Sequence, residues 1–314
     1  MIVVNIEPLN YSEKAVGILS RHFIYFSTNS VDTIPEDILS KAEVVITRLN
    51  YRIDSNFIEK FPSCRFIVTA TTGLDHIDME ALKKQDIEVI SLKGEEQFLK
   101  SISSTAEHTV ALILSLVRNI KNAVKSVEAG DWNRDLFRGI QLKNRVLGIV
   151  GMGRTGSMVS NYCKALGMEI IYFDPFVTNL NYRKIDNLKT LFELSDIVSL
   201  HVHLNDETEG MINSSVLKWM KRGGYLINTS RGAVINEDDV VDAINMKILR
   251  GVAVDVIVGE PYNLSSSSLY RAMLKGANII ITPHIGGAST DAMRSCEEFV
   301  ASKVVEKCTS SLKI

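Results

Sequence analysis

The run VLGIVGMGRTG from Val146 to Gly156, answered by IIYFD from Ile170 to Asp174, constrains this chain more than any other feature. Residues 146–150 are apolar or glycine and read as a buried strand, and a GxGxxG turn opens at once with Gly151. A helix-like run at 157–166 comes next, then Gly167, a second apolar strand, and an acid 23 residues after Gly151 (174 − 151). Each part has a physical task in holding a dinucleotide. Gly151 permits the tight strand-to-helix turn, Gly153 lets backbone approach a pyrophosphate, and Gly156 lets the helix pack against the strand. The helix start, with Arg154 and Thr155, offers free N–H groups and a positive dipole end to phosphates. Asp174 is spaced to accept hydrogen bonds from ribose hydroxyls and to repel a 2′-phosphate, which favours NAD over NADP.

Composition sets the frame around that motif. At 314 residues the chain is long enough for two domains with separate cores. Hydrophobic content of 46% and charged content of 23% are those of a soluble globular protein. A net charge of −2 gives no electrostatic reason to expect nucleic acid or an anionic membrane as partner. Residues 1–6 are strand-like and lack a basic leader, so no export signal is expected, and no apolar run is long enough to span a bilayer. Cys64, Cys163, Cys296 and Cys308 show neither metal-type nor CxxC spacing and read as reduced structural thiols. A cytoplasmic enzyme is the expectation.

Strand-like runs at 2–6, 44–47, 66–70, 88–91, 146–150, 169–173, 197–201, 225–228, 251–254 and 279–282 alternate with helix-like runs at 11–21, 79–85, 105–119, 239–246 and 291–305. That alternation predicts α/β architecture with mainly parallel sheets. Four strands precede the glycine motif and six begin with it, which predicts two doubly wound parallel-sheet domains, a Rossmann-type cofactor domain and a flavodoxin-like substrate domain. The expected boundaries are 1–98 with 287–314 for the substrate domain and 99–286 for the NAD-binding domain. The helix at 105–119 reads as a hinge, and the terminal helix is expected to cross back and complete the first domain.

Three polar residues stand where strands of the second half end, the edge at which open α/β sheets bind ligands. Arg231 follows 225–228, Glu260 follows 251–254 and His284 follows 279–282. Singly they have ordinary explanations: a surface arginine, a loop carboxylate, a capped histidine. Jointly they supply a carboxylate clamp, an orienting acid and a general acid/base.

Further motifs point the same way. NTSRGAVINE from Asn228 to Glu237, DVIVGEP from Asp255 to Pro261 and TPHIGG from Thr282 to Gly287 occur in that order. TGLDHID from Thr72 to Asp78, STAEHT from Ser104 to Thr109, GDW from Gly130 to Trp132 and LKNRVLG from Leu142 to Gly148 precede them. Over nearly the whole chain, this set resembles the D-isomer-specific 2-hydroxyacid dehydrogenases. The resemblance implies an NAD-dependent enzyme that interconverts a D-2-hydroxy acid and its 2-keto acid. Arg231 would hold the substrate carboxylate and polarise the keto oxygen, a task suited to a guanidinium fork. His284 would exchange the proton, and Glu260 would fix the tautomer of its ring. Gly73 and Leu74 would present backbone N–H groups to the substrate carboxylate. Cofactor contacts are implied at Thr109, Thr229, Asp255 near the nicotinamide amide, and Gly287. His76 and His108 read as structural or interfacial, and Glu107 as a helix cap.

The chain also departs from the family pattern. After the strand ending at His201, a proline and a threonine are usual; here the run is HVHLNDETEG from His201 to Gly210, with His203 as a possible adenosine contact. KGEEQF from Lys93 to Phe98 is also unusual. With Arg48, Asn50, Tyr51 and Arg52, it is where substrate selectivity is expected. Two alternatives remain. One is 3-phosphoglycerate specificity, with Arg48 and Arg52 receiving a phosphate; the end of the chain at Ile314 without an added regulatory domain leaves that open. The other is an NAD-sensing protein like the transcriptional corepressors of this fold, which retain the same three residues. A formate-oxidising relative is set aside because glutamine would stand at Glu260. The apolar helix at 105–119 and the arm to about Leu142 predict a two-fold homodimer.

Overall fold

A computed structural model of the chain describes residues 1–177 and 181–310. The chain divides into two compact units, Met1–Ile102 with Ser289–Ile314, and Ser103–Ala288. Among the described residues there are twelve strands in two sheets, and every strand pairing is parallel.

The first unit holds β1 (Ile2–Asn5), β2 (Ile24–Ser27), β3 (Ala42–Thr47), β4 (Phe66–Thr69) and β5 (Glu88–Ile90) in the order β2-β1-β3-β4-β5. Its central strands β1, β3 and β4 are buried on both faces, as parallel strands are when helices cover each side. Val3, Val44 and Val68 face helix α1 (Glu13–Ser20) and the terminal helix Thr290–Ser310, which contributes Cys296, Val300, Val304 and Cys308 to that core. The alternate residues Val4, Val45 and Ile67 meet Ile53, Phe57 and Leu82 on the other face. The terminal helix also brings a charge inside. Glu297 is 1% exposed, yet it is paired with Arg48 Nη2 at 2.5 Å and accepts Ser12 N at 2.7 Å. A buried carboxylate is tolerated only with such partners. Of the stretch 287–314 expected to complete this domain, residues 311–314 lie outside the described residues.

The second unit holds β6 (Val146–Val150), β7 (Glu169–Phe173), β8 (Arg183–Lys184), β9 (Ile197–Leu200), β10 (Gly224–Asn228), β11 (Leu249–Val254) and β12 (Ile279–Ile281) in the order β12-β11-β10-β9-β6-β7-β8. Strand order reverses around β6, which places a topological switch point between β6 and β9. Leu147, Ile149, Ile227 and Ala253 pack beneath helix α2 (Ser104–Val117) through Leu112, Ile113, Leu116 and Val117. Val150, Val198, Leu226 and Val252 face the opposite core. Helix α3 (Ile120–Glu128) follows α2 and has no buried residue.

The sheets have five and seven strands where the sequence predicted four and six. The additions are β2, an edge strand exposed at both ends, and the two-residue charged β8. β8 carries no apolar run, whereas β2 lies in a short one, at 23–26, that the reading of the sequence passed over. No helix among the described residues is long and apolar enough to cross a membrane.

Candidate active site

The carboxyl ends of β6, β7 and β9 form one half of an edge. Gly151, with φ +91°, turns the chain out of β6, and a Cβ there would lie 2.5 Å from the His201 carbonyl oxygen. A Cβ on Gly156 would lie 2.2 Å from the Gly151 oxygen. Both positions therefore demand glycine for the fold itself. Gly153 is different: it is the N-cap of α4 (Arg154–Ala165), extended at φ −71° and ψ −159°, and a Cβ there would meet nothing within 4 Å. Open space beside a helix start that no side chain caps is what a pyrophosphate needs, so these residues fit a dinucleotide. Arg154 and Thr155 form the first turn of that helix.

Asp174 is buried, and its carboxylate braces this turn. Oδ2 accepts the Met152 N–H at 2.8 Å, while Oδ1 accepts those of Phe176 and Val177 at 2.8 and 2.9 Å. The acid predicted for ribose thus also holds the glycine turn against β7. At the end of β9, burial pushes the His201 imidazole down to about 4, and its Nε2 lies 2.8 Å from Ser199 Oγ. His201 is thus neutral at physiological pH. His203 is exposed, in a loop that Asn205 and Thr208 fold back on itself.

The other half of the edge comes from β10, β11 and β12, which are neighbours in the sheet. Arg231 follows β10, where Asn228 Nδ2 donates to its carbonyl at 2.8 Å and its own Nη1 donates to Ser230 O at 2.7 Å. A Cβ on the adjacent Gly232 would lie 2.6 Å from the Ile257 carbonyl carbon, so the loops after β10 and β11 touch backbone to backbone. Glu260, on the second of these loops, places Oε1 2.9 Å from His284 Nδ1. A carboxylate cannot donate, so the ring carries its proton on Nδ1 and leaves Nε2 as the exchanging atom. The His284 and Glu260 side chains are about one-third and one-quarter exposed (34% and 26%), within reach of a small ligand.

His284 sits at φ +53°, a conformation costly for a residue with a Cβ. Asp255 holds it there. The carboxylate, 2% exposed, accepts Thr282 Oγ1 at 2.6 Å, Ile285 N at 2.9 Å and Gly286 N at 2.7 Å, and lies 3.2 Å from His108 Nε2. Its own carbonyl accepts His284 N at 2.9 Å. Burial pushes this carboxyl up, but the bonds from His108, Thr282 and the two backbone N–H groups outweigh that and hold it low. A Cβ on Gly286 would lie 2.9 Å from Asp255 Oδ2, so that position is the tight one, whereas Gly287 is open.

Two residues expected on the cofactor side also make contacts within the protein. Thr109, expected on the cofactor side, is fully buried, and its hydroxyl bridges Thr105 O at 2.7 Å and Thr229 Oγ1 at 2.8 Å. It braces α2 against the end of β10 because helix packing turns that face inward. Asp255, expected beside the nicotinamide, directs its carboxylate at the His284 turn. His108 partners both Asp255 and Thr282, the latter at 3.0 Å, in keeping with a structural role. Glu107 accepts from Ser103 Oγ at 2.5 Å at the start of α2.

Gly73 and Leu74 belong to the first unit, just past β4, where Thr71 Oγ1 donates to the Gly73 carbonyl at 2.9 Å. In the same unit Arg48 is turned inward: besides Glu297, its Nη1 donates to Leu9 O at 2.7 Å and its guanidinium lies over the Tyr11 ring. Arg52 is exposed. Glu7, which sequence reasoning missed, accepts Thr47 Oγ1 at 2.6 Å and the N–H groups of Arg48 and Asn50 at 2.5 and 3.1 Å, which stiffens the loop after β3. No cluster of three or more potential metal ligands occurs among the described residues.

The model for the D-isomer specific 2-hydroxyacid dehydrogenase NAD binding domain matches residues 110–286. The hydroxypyruvate reductase of Thermotoga maritima is 32% identical over 279 residues, 88% of this chain and 87% of that protein. The D-3-phosphoglycerate dehydrogenase of Archaeoglobus fulgidus is 30% identical over 311 residues, 97% of this chain but 57% of that protein. The chain spans about half the length of the D-3-phosphoglycerate dehydrogenases it matches. A crystal structure of D-lactate dehydrogenase from Aquifex aeolicus, complexed with NAD and lactic acid, superposes with a TM-score of 0.83 at 29% identity, covering 100% of this chain and 97% of that one. With the family model spanning more than half the chain and the glycine turn shaped for its cofactor, NAD, the protein belongs to the D-isomer specific 2-hydroxyacid dehydrogenase family.

Proposed function

We propose that this protein is an NAD(H)-dependent oxidoreductase that interconverts a D-2-hydroxy acid and its 2-keto acid. The observation that carries the reading is the 2.9 Å contact between His284 Nδ1 and Glu260 Oε1, on the same sheet edge as the dinucleotide turn. Gly151, Gly153, Gly156 and the start of α4 would hold the pyrophosphate, Asp174 the ribose, and His203, Thr229 and Gly287 flanking parts of the cofactor. When bound, the cofactor supplies or accepts the hydride at C2 of the acid. Arg231 binds the substrate carboxylate and polarises the keto oxygen. His284 Nε2 gives its proton to the keto oxygen in reduction and recovers it from the hydroxyl in oxidation, while Glu260 stabilises the imidazolium form.

The substrate is a small 2-keto acid of the kind named by the relatives, among them hydroxypyruvate and glyoxylate. A 3-phosphoglycerate reading has support in the relatives' names, with Arg48, here paired with Glu297, and the exposed Arg52 as its candidate phosphate ligands. The decisive test mixes the protein with NADH and hydroxypyruvate, glyoxylate, pyruvate or phosphohydroxypyruvate, and follows loss of reduced cofactor. Turnover of at least one is expected, reversed with the D- and not the L-hydroxy acid where the product is chiral. NADH binding without any turnover overturns the reading in favour of a cofactor sensor.

A two-fold homodimer through the arm after α2 is part of this proposal. Ile120, Val124 and Val127 of α3 are about half exposed (47–53%) at one-turn spacing, and Trp132 is 90% exposed. A monomeric mass by sedimentation at micromolar concentration contradicts it. The four cysteines are free and buried, which suits a reducing compartment such as the cytoplasm.

A further inference from the structure

A single buried carboxylate outside the reacting groups controls the loop that carries Glu260. Glu237 stands in the first turn of α5 (Glu237–Asn245), but Asn236 already caps that helix, and Glu237 is only 7% exposed. Its side chain turns to the loop after β11. Oε1 accepts the Val258 N–H at 2.9 Å; Oε2 accepts Ser267 Oγ at 2.6 Å and the Leu269 N–H at 3.4 Å. Ser267 in turn caps α6 (Ser268–Leu274) by accepting Tyr270 N at 3.1 Å. One carboxylate thus fastens both ends of the excursion from 258 to 267.

Between those ends the loop is folded tightly on itself. Gly259 has φ +86°, and a Cβ there would lie 2.3 Å from Ser266 Oγ and 2.4 Å from Asn263 O. Asn263 N donates to Gly259 O at 2.7 Å. Glu260 follows directly, two residues from the Val258 anchor, and besides His284 it accepts a long 3.4 Å bond from Ile257 N. Its aim at the imidazole is therefore set by where the loop is pinned.

We infer that Glu237 is a positioning residue: by clamping Val258 and Ser267 it holds Glu260 in register with His284 Nδ1. The inference rests on the dehydrogenase reading for its kinetic arm alone. Charged and titratable groups near the pair include Glu260 at the ring, Asp255 with His108 behind the His284 turn, Arg231 on the loop packed against the Glu260 loop, and Glu237 itself, which meets neutral donors.

The experiment is a double-mutant cycle on the full chain with Glu237→Ala, Glu260→Gln and the pair. Glu237→Ala should lower kcat about tenfold or more, part of the 10²–10⁴ a positioned acid/base supplies, with NADH affinity within about twofold. In the Glu260→Gln background the same change should have little further effect, because coupled residues are non-additive. Glu237→Gln, which keeps an accepting oxygen for Val258 N, should restore most of the rate. Ser267→Ala, loosening one end of the clamp, gives a milder loss if Glu237→Ala does not fold. In parallel, the hydrogen-bonded Nδ1–H resonance of His284 is followed by NMR without substrate. It should move in Glu237→Ala as it does in Glu260→Gln. Additive kinetic losses, or an unmoved resonance in Glu237→Ala, overturn the inference. Absence of turnover with a moved resonance instead defeats the dehydrogenase reading and leaves the clamp standing.

Discussion

At the end of β6 the site is made of backbone, whereas at the ends of β10, β11 and β12 it is made of side chains held by other side chains. In the first region the shape follows from missing Cβ atoms at Gly151, Gly153 and Gly156, with Asp174 as the one acid that ties the turn down. In the second, the His284 turn is gripped by Asp255, Thr282 and His108, and Glu260 hangs on a loop fastened by Glu237. Binding a cofactor's phosphates needs close approach and N–H groups, which backbone supplies without side-chain ordering. Moving a proton needs one ring nitrogen aimed within a few tenths of an ångström, which only an ordered network supplies.

The contrast breaks first at the reacting pair. His284→Gln should lower kcat by about 10²–10⁴ while NADH affinity, measured by fluorescence, stays within about threefold. A parallel loss of NADH binding would show that the two regions are not separable. At the backbone end, Gly156→Ala should destabilise the protein by about 3 kcal/mol or more, because the new Cβ would meet the Gly151 oxygen at 2.2 Å. Gly153→Ala, facing open space, should leave the melting temperature almost unchanged and weaken NADH binding instead. Equal melting temperatures for the two variants would remove the distinction between a fold glycine and a ligand glycine.

Smaller effects refine the side-chain region. Asp255→Asn should cost about 1–3 kcal/mol, since an amide NH₂ would oppose one of the donors around that carboxylate, and it should lower kcat by loosening the His284 turn. A variant that melts earlier but turns over normally would confine Asp255 to stability. The smallest effect is pH-linked and belongs to the cofactor side. His201 has its pKa lowered by burial from 6.5 to about 4, so the folded state favours the neutral ring. The stability it contributes is full above about pH 6.5 and is lost as pH falls through the window towards 4, on the order of 1–3 kcal/mol. Denaturant midpoints between pH 7 and 4.5 should fall less steeply in His201→Gln than in the parent. Parallel curves would show that the ring is not desolvated.

Legibility in the sequence followed the range of the interactions. The runs 146–150 and 169–173 coincide with β6 and β7, because two-sided burial writes itself as an unbroken apolar run. The edge strand β2 was passed over although 23–26 are apolar, because so short a run straight after a helix-like segment does not tell strand from helix. The helix after the glycine turn begins at Arg154 and not at 157, because Gly153 is already its N-cap and the motif's own residues form the first turn. Arg231, Glu260 and His284 could be picked out because each follows a strand of one parallel sheet. Their supports could not. Glu237 looks like an ordinary first-turn acid beside Asp238 and Asp239, and nothing local says that it alone turns inward.

What the chain determined by itself is therefore what depends on neighbours along the backbone: the strand–helix alternation, the glycine turn, and the placing of reactive groups at strand ends. Tertiary structure alone decided which polar groups find their partners inside the protein. Thr109 meets Thr229, and Arg48 meets Glu297 across 249 residues of sequence. Such pairings arise because a buried polar atom must find a partner wherever packing happens to bring one, and packing is a property of the whole unit.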